Sequence, residues 1–324
     1  MHSPLLSIII PVKNEARNIA LCIESFQAAV REGWAEILVI DNFSADDTKR
    51  IAESLGVRVI QQGPERSTQR NRGWKEAQGS YVFFVDADMR VPEATLREVR
   101  GRIETRNLKL ETGDSKLETR NLKLGTAHCQ LPTLAAVLSA AGIAKAEALA
   151  KEAANCSPVD ALFVREVRAG ASWWIKVRNF ERSFYDATCI DGLRVIKRSV
   201  LEQVGGYDEN LFAAEDWDLD RRILAVTSQV ALTDGHLIHD EGAFSFSRHL
   251  KKKAYYSTNF SAYLEKWGQD DITRKQFGLF YRFFTVFFEQ GKWKRTLTHP
   301  LYMLAIWFER FCVGVLYLKR TRST

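Results

Sequence analysis

The side chains best able to do chemistry stand at the end of an apolar run, Tyr81-Val82-Phe83-Phe84-Val85, which stops on Asp86-Ala87-Asp88. A run rich in β-branched and aromatic residues predicts a buried central strand. Its end puts two carboxylates at the carboxyl edge of a sheet, where open α/β folds bind ligands. Side chains two apart on an extended segment share a side, so Asp86 and Asp88 are expected to face one cation. Hard oxygen ligands suit Mg²⁺ or Mn²⁺, and such an ion usually arrives with a phosphate. The pair therefore points to a metal-dependent enzyme with a phosphorylated or nucleotide substrate.

Three further groups belong with that pair. In Ala214-Glu215-Asp216-Trp217-Asp218-Leu219-Asp220 the acids would favour a helix N-terminus through the macrodipole. Glu215 and Asp216 are adjacent and so are expected to point to different faces. One that met the sheet edge would be a desolvated carboxylate of raised pKa, fit for general-base work. In Gly235-His236-Leu237-Ile238-His239-Asp240, His239 follows a short apolar strand and can complete a metal shell with Asp240 behind it; His236 is the weaker candidate. Pro11-Val12-Lys13-Asn14-Glu15 and Asp41-Asn42 close the set as exits of the first two strands. A carboxylate at Asp41 can accept from a uracil-type imide N–H, and Glu15 can reach a ribose hydroxyl. Arg66, Arg70 and Asn71 can meet phosphates or simply open a helix. The lack of a Gly-x-Gly-x-x-Gly after the first strand and of a Walker loop argues against a dinucleotide-binding dehydrogenase and against a P-loop ATPase.

Strands and helices alternating along the first hundred residues must position these groups. Strands are predicted at 6–12, 36–41, 57–61 and 80–86, and helices at 15–30, 48–55, 68–77 and 92–103. That spacing predicts a mostly parallel sheet covered on both faces. A heptapeptide at 104–110 recurs at 118–124, and an Ala-rich helix is predicted at 133–154; residues 104–157 are expected to form an insertion without part in the chemistry. Strands resume at 161–164, 193–196 and 229–232 with helices at 172–185 and 215–226, and from Arg248 onward only helices are predicted. The implied division is 1–103 and 158–245 around the insertion, with a helical region at 246–324.

Composition fits a folded protein, with 46% hydrophobic and 27% charged residues. The net charge of +6 is loaded into the last quarter, which suits an anionic partner or a solvated face. Five scattered cysteines without a Cys-x-x-Cys pair argue against a zinc site or disulfide framework and fit a reducing cytosol. Met1-His2-Ser3-Pro4 runs straight into the first strand, so no signal peptide is expected.

Taken together, five segments in order resemble the family 2 glycosyltransferases of GT-A fold: Ile8–Glu15, Val39–Thr48, Arg70-Asn71-Arg72-Gly73, Val85–Asp88, and Val204–Glu209 ahead of Glu215–Leu219. The resemblance implies an inverting transfer from a nucleotide sugar, a UDP-sugar being favoured, to a hydroxyl of a glycan or lipid-linked acceptor. It implies that Pro11, Val12, Glu15 and Asp41 hold the nucleoside, with Arg70 and Asp86 also on the nucleotide. Asp86 and Asp88 would hold the diphosphate through Mn²⁺ or Mg²⁺, and His239 falls where some members place a further metal ligand. Asp216 matches the general base, with Glu215 beside it orienting base or acceptor. Asp41-Asn42-Phe43-Ser44 departs from the pattern, since many members have two acids and a glycine there; this bears on base recognition.

Leu301–Leu318 is apolar except for Glu309 and Arg310 at its middle. Eighteen residues barely reach across a hydrocarbon core, and the central charges each oppose insertion by roughly 2.5–3.5 kcal/mol. Trp293, Tyr302, Trp307, Phe308 and Tyr317 beside Lys and Arg suit a helix lying in the headgroup region, as well as one packed on the core. The expected place of action is cytoplasmic, with peripheral contact to the inner face of the cell membrane and no nucleic-acid partner. Two alternatives fit these residues less well. A nucleotidyltransferase making nucleotide sugars would carry a Gly-rich basic loop after its first strand, and Pro11–Glu15 is not one. A non-catalytic nucleotide-sugar sensor or membrane scaffold would have no use for Asp216 beside an intact Asp86/Asp88 pair.

Overall fold

The computed structural model describes residues 3–104, 159–242, 244–257 and 260–321. Its chain divides into one unit made of Met1–Gly101 with Val159–Thr324 and another of Arg102–Pro158. The repeat and the Ala-rich helix expected in the second unit lie outside the described residues.

The larger unit is built on an eight-stranded sheet of order β3-β2-β1-β4-β7-β6-β8-β5. Every residue of β1 (Leu6–Val12) is buried, as a strand covered on both faces requires. The one polar side chain in it, Ser7, is satisfied by donating to Glu36 Oε1 and accepting from the Gly79 amide. β1 pairs in parallel with β2 (Ala35–Asp41) and β4 (Tyr81–Phe84), and β2 with β3 (Arg58–Gln61). The covering helices are α1 (Ile19–Glu24), α2 (Gln27–Arg31), α3 (Thr48–Ser54), α4 (Arg66–Glu76) and α5 (Glu93–Ile103). The single helix expected over 15–30 is broken between α1 and α2, where the Ser25 hydroxyl donates back to the Cys22 carbonyl at 2.7 Å.

Beyond β4 the sheet becomes mixed. β7 (Leu193–Lys197) is antiparallel to both β4 and β6 (Ala161–Arg168). β8 (Val230–His239) is parallel to β6, and the two-residue β5 (Met89–Arg90) is antiparallel to β8. This reversal matters for the site. It brings the start of β7, Leu193-Arg194, to the edge where β1, β2, β4, β6 and β8 end.

One core lies between the sheet and α4, α7 (Arg198–Val204) and α8 (Glu215–Val226); it includes Ile9, Ile40, Trp74, Phe84, Leu201 and Ile223. A second core joins α6 (Trp173–Arg182) to the C-terminal helices, through Val177, Phe184, Phe287, Met303 and Ile306. Those helices are α9 (Phe246–Ser257), α10 (Ser261–Trp267), α11 (Asp271–Phe277), a π turn (Tyr281–Thr285) with α12 (Val286–Phe288), α13 (Trp293–Thr298) and α14 (Pro300–Thr321).

Candidate active site

The predicted strand over 80–86 ends two residues early, at Phe84, and Ala87-Asp88 form a turn before β5. Alternation along a strand therefore does not govern Asp86 and Asp88, and their side chains part company. Asp86 Oδ1 meets Arg70 Nη2 at 3.3 Å and its Oδ2 meets Arg194 Nη1 at 3.6 Å. Asp88 Oδ2 instead meets His239 Nε2 at 3.0 Å. The tie between β5 and β8 makes this possible, because Met89 is in register with His239 and the Asp240 amide donates to the Asp88 carbonyl at 2.8 Å.

Arg70 sits at the centre of the arrangement. It is 1% exposed, on α4, and its guanidinium carbon lies 5.1 Å from the centroid of the Tyr207 ring. Its Nη1 donates to Asp216 Oδ1 at 2.7 Å and to Glu215 Oε1 at 3.4 Å. Adjacency in sequence thus does not separate Glu215 and Asp216, since both reach one nitrogen from the first turn of α8. Ala214, at the N-cap of α8, has φ 61°, in the left-handed region that a residue with a Cβ seldom adopts. Arg70, expected at the nucleotide, is a buried guanidinium that meets three carboxylates and lies on a ring. Asn71 holds the same turn, its amide donating to the Tyr207 carbonyl at 2.9 Å and accepting from the Tyr207 amide at 2.8 Å.

Charge continues along the edge. Arg194 Nη2 meets Glu166 Oε2 at 3.3 Å, and Glu166 Oε1 meets His239 Nδ1 at 2.8 Å. Glu166, not Asp240, therefore stands behind the imidazole; Asp240 turns to Arg90 at 3.5 Å and to the Gly242 amide. Neither Glu166 nor Arg194 was singled out from the sequence. The available signal was a charged residue inside an otherwise apolar strand, as in Val164-Arg165-Glu166-Val167 and Leu193-Arg194-Val195. His236 is exposed and its backbone pairs with Thr95, away from the site.

Burial would raise Asp86, but Arg66, Arg70 and Arg194 hold it well below the usual carboxylate range. Glu166 behaves alike: desolvation is outweighed by His239 and by Arg194, Arg182 and Arg168. His239 would be lowered by burial, but its hydrogen bonds to Asp88 and Glu166 raise it to about 9. Glu215 moves the other way, raised to about 7 by burial and then by the like charge of Asp216. Asp216 is the more open of the pair, its side chain 40% exposed, and it lines a cavity of about 190 Å³ with Arg182, Asp191, Gly192 and Trp217. The other acids of this helix serve structure. Asp218 accepts from Trp267 Nε1 and Arg222, and both oxygens of Asp220 accept from the Leu193 amide.

At the far end of the edge, Pro11 and Val12 lie buried in β1, and the exits of β1 and β2 are laced together. The Asn14 amide donates to Ser44 Oγ, the Glu15 amide to Thr48 Oγ1 and the Ala45 amide to Asn14 Oδ1. Asp41 is 0% exposed, and both its oxygens accept from the Ser44 amide at 3.2 Å, with Gln61 also donating. These contacts close the turn at this exit. Within the turn Phe43 has φ 48° and is 64% exposed, a backbone setting where glycine is at ease. Glu15 is raised by burial, partly offset by the hydrogen bond from Asn18 and reinforced by Asp88.

Among the described residues no three His, Cys, Asp or Glu side chains converge into a metal cage. The donor set that does form is Asp88 with His239. An imidazole whose Nδ1 faces Glu166 and whose Nε2 faces Asp88 needs a proton or a cation on the Asp88 side. A divalent ion completed by phosphate oxygens fits that place, with Glu166 orienting the ring.

Residues 7–136 match the family described as glycosyl transferase family 2, and residues 145–293 match glycosyltransferase like family 2. The glycosyltransferase AglE of Haloferax volcanii is 33% identical over 93 residues, 26% of this chain and 31% of that protein. The uncharacterized glycosyltransferase YibD of Escherichia coli is 37% identical over 91 residues, 26% of each. The matched stretch thus spans under a third of either relative. Among solved structures, the mannosyltransferase PcManGT from Pyrobaculum calidifontis, in complex with GDP-Man and Mn²⁺, aligns with a TM-score of 0.52 at 15% identity, covering 98% of this chain and 88% of that one. The likeness is one of fold, a curled α/β sheet of GT-A type.

Proposed function

This chain belongs to glycosyl transferase family 2, and from that premise we propose that it transfers a sugar, with inversion, from a nucleotide-diphosphate sugar to a hydroxyl of a glycan or lipid-linked acceptor. A uridine nucleotide is the favoured donor. One observation carries the proposal: Arg70 gathers Glu215, Asp216 and Asp86 at the same sheet edge where Asp88 meets His239. A proton-accepting carboxylate and a hard-cation pair are what such a transfer needs.

In this reading residues 1–103 carry the nucleotide end, with Pro11, Val12 and Glu15 beside the nucleoside and Asp41 shaping the turn below it. Residues 158–245 carry the acceptor end. Asp88 and His239, with Asp86 nearby, would hold Mn²⁺ or Mg²⁺, which would neutralise charge developing on the departing diphosphate. The cavity beside Asp216, Asp191 and Trp217 takes the acceptor. Asp216 accepts the proton of the acceptor hydroxyl as its oxygen attacks the anomeric carbon from the face opposite the nucleotide. Arg70 acts as a positioning residue: it fixes Asp216 toward the cavity and keeps Asp86 ionised. Free cysteines Cys22, Cys189 and Cys312 accord with action in the cytoplasm.

Two carboxylates compete for the role of base. Glu215, raised to about 7, has a pKa suited to a base, but its side chain is 13% exposed, whereas Asp216 opens onto the cavity; geometry comes first, and Asp216 is assigned. The test is nucleoside-diphosphate release from a panel of nucleotide sugars with Mn²⁺. Asp216→Asn is expected to lower kcat by about 10²–10⁴-fold while leaving donor binding intact. Full turnover in Asp216→Asn with loss in Glu215→Gln would move the base to Glu215. Donor binding without turnover in the wild type, across donors and acceptors, would refute the enzymatic proposal.

A further inference from the structure

Over residues 300–315 the outward face of α14 is apolar. Leu301, Leu304, Phe308 and Phe311, at helical spacings of three and four, are 68%, 58%, 56% and 64% exposed. The two charges near the middle of this helix are turned the other way. Glu309 is 4% exposed and meets His249 Nε2 at 2.6 Å, while Arg310 donates to Glu181 at 2.6 Å and lies over the Phe287 ring. The charges that oppose membrane insertion therefore leave the exposed face untouched.

This face extends sideways onto the π turn. Trp307 donates to the Phe283 carbonyl at 3.0 Å and its ring lies 6.2 Å from Phe284, which in turn lies 5.7 Å from Phe280. Phe280 and Phe284 are 75% and 47% exposed. Scattered exposed apolar side chains are ordinary, but a contiguous patch of this kind marks an interaction surface. Charge identifies the partner. Residues 246–324 hold fifteen Lys and Arg against five Asp and Glu, whereas the rest of the chain carries more acids than bases. Lys275 and Lys294, exposed, flank the patch in sequence. Among the described residues no helix is long and apolar enough to cross a membrane, so the face suits lying in a membrane surface, not spanning the membrane.

We propose that α14 and the adjoining π turn form a docking surface for an anionic lipid bilayer, with Leu301, Leu304, Phe308 and Phe311 sunk among the headgroups and the basic residues on anionic lipid. The surface is distinct from the sheet-edge site and stands whether or not that site transfers sugar. α14 packs on α6, and α6 meets the end of the sheet edge where Arg178 pairs with Glu241, so docking would hold the edge close to lipid. The test is flotation of the full chain with vesicles of equimolar phosphatidylcholine and phosphatidylglycerol, and with phosphatidylcholine alone. The wild type is expected to float with the anionic vesicles at low ionic strength and to release as salt rises. Leu304→Asp with Phe311→Asp is expected to cut the bound fraction by about tenfold or more. Lys275→Glu with Lys294→Glu should weaken binding to the anionic vesicles only. Because all four positions are exposed, each variant should keep the wild-type thermal midpoint. Failure of the wild type to float would overturn the proposal, as would undiminished flotation of the aspartate variant. A wild-type dimer that the aspartate variant converts to monomer, without vesicle binding, would assign the face to a second copy of this chain.

Discussion

Glu215 joins stability to function most directly. Its ordinary pKa of 4.5 is raised to about 7 by burial and by Asp216. The folded protein therefore holds this proton more tightly than the unfolded chain does. The resulting stabilisation is fully present below pH 4.5 and is withdrawn as pH rises to about 7. Glu215→Gln has no such proton to lose. Its thermal midpoint should fall less than that of the wild type across this window, in a melting series at fixed ionic strength. Equal slopes would mean that another group titrates there. The acids of this helix were legible in the sequence as candidates, because carboxylates before an apolar helix have few uses. Their division of labour was not, since Arg70 lies far away in the chain and an arginine opening a helix looks the same whether it faces solvent or a buried site. Glu166 and Arg194 were hidden for a related reason: each is one charge among several in a strand that is otherwise apolar, and it acquires a meaning only from its partner on the neighbouring strand.

Among the elements, the apolar strands β1, β2 and β4 were plain from composition, and their parallel order followed from the intervening helices. β5 was out of reach, because two residues carry no periodicity, yet its pairing with β8 is what brings Asp88 to His239. The extensions of β6 to Arg168 and β8 to His239 were missed because charged and small residues interrupt the expected pattern. At Gly205-Gly206-Tyr207 the chain turns through two glycines of positive φ, and the neighbours leave no room for a side chain at the second. Gly206 has φ 74°, and a Cβ there would come within 2.5 Å of Trp74 Nε1 and 2.6 Å of Asn71 Oδ1. Both are buried side chains of α4, the helix that carries Arg70. Gly206→Ala is therefore expected to destabilise the fold by about 1–3 kcal/mol through backbone strain and displaced packing. The same substitution should loosen the Tyr207 platform under Arg70 and lower transfer activity. Urea unfolding with a parallel activity assay checks both; an unchanged midpoint would show that the turn relaxes freely.

Across the whole molecule, α14 inverts the usual arrangement of a surface helix, with charge inside and hydrocarbon outside. Its inward side is held by the His249–Glu309 contact and by the shared core of Phe287, Met303 and Ile306 with α6. Removing one partner of a buried hydrogen-bonded pair strands the other away from water, and this typically costs about 1–3 kcal/mol. Glu309→Ala should therefore lower the urea midpoint strongly, although the residue lies far from the sheet edge in sequence. Exposed side chains surrender little when shortened, so Leu304→Ser and Phe311→Ser should each fall within about 0.5 kcal/mol of the wild type. This ranking opposes what hydrophobicity alone would suggest, because in most surface helices the apolar side chains anchor and the glutamate is dispensable. If the serine variants prove the more costly, the outward face is packed against protein in solution and is not available to lipid. If Glu309→Ala alone is costly, the helix is fastened by its polar side, and its apolar side is left free for a partner outside the fold.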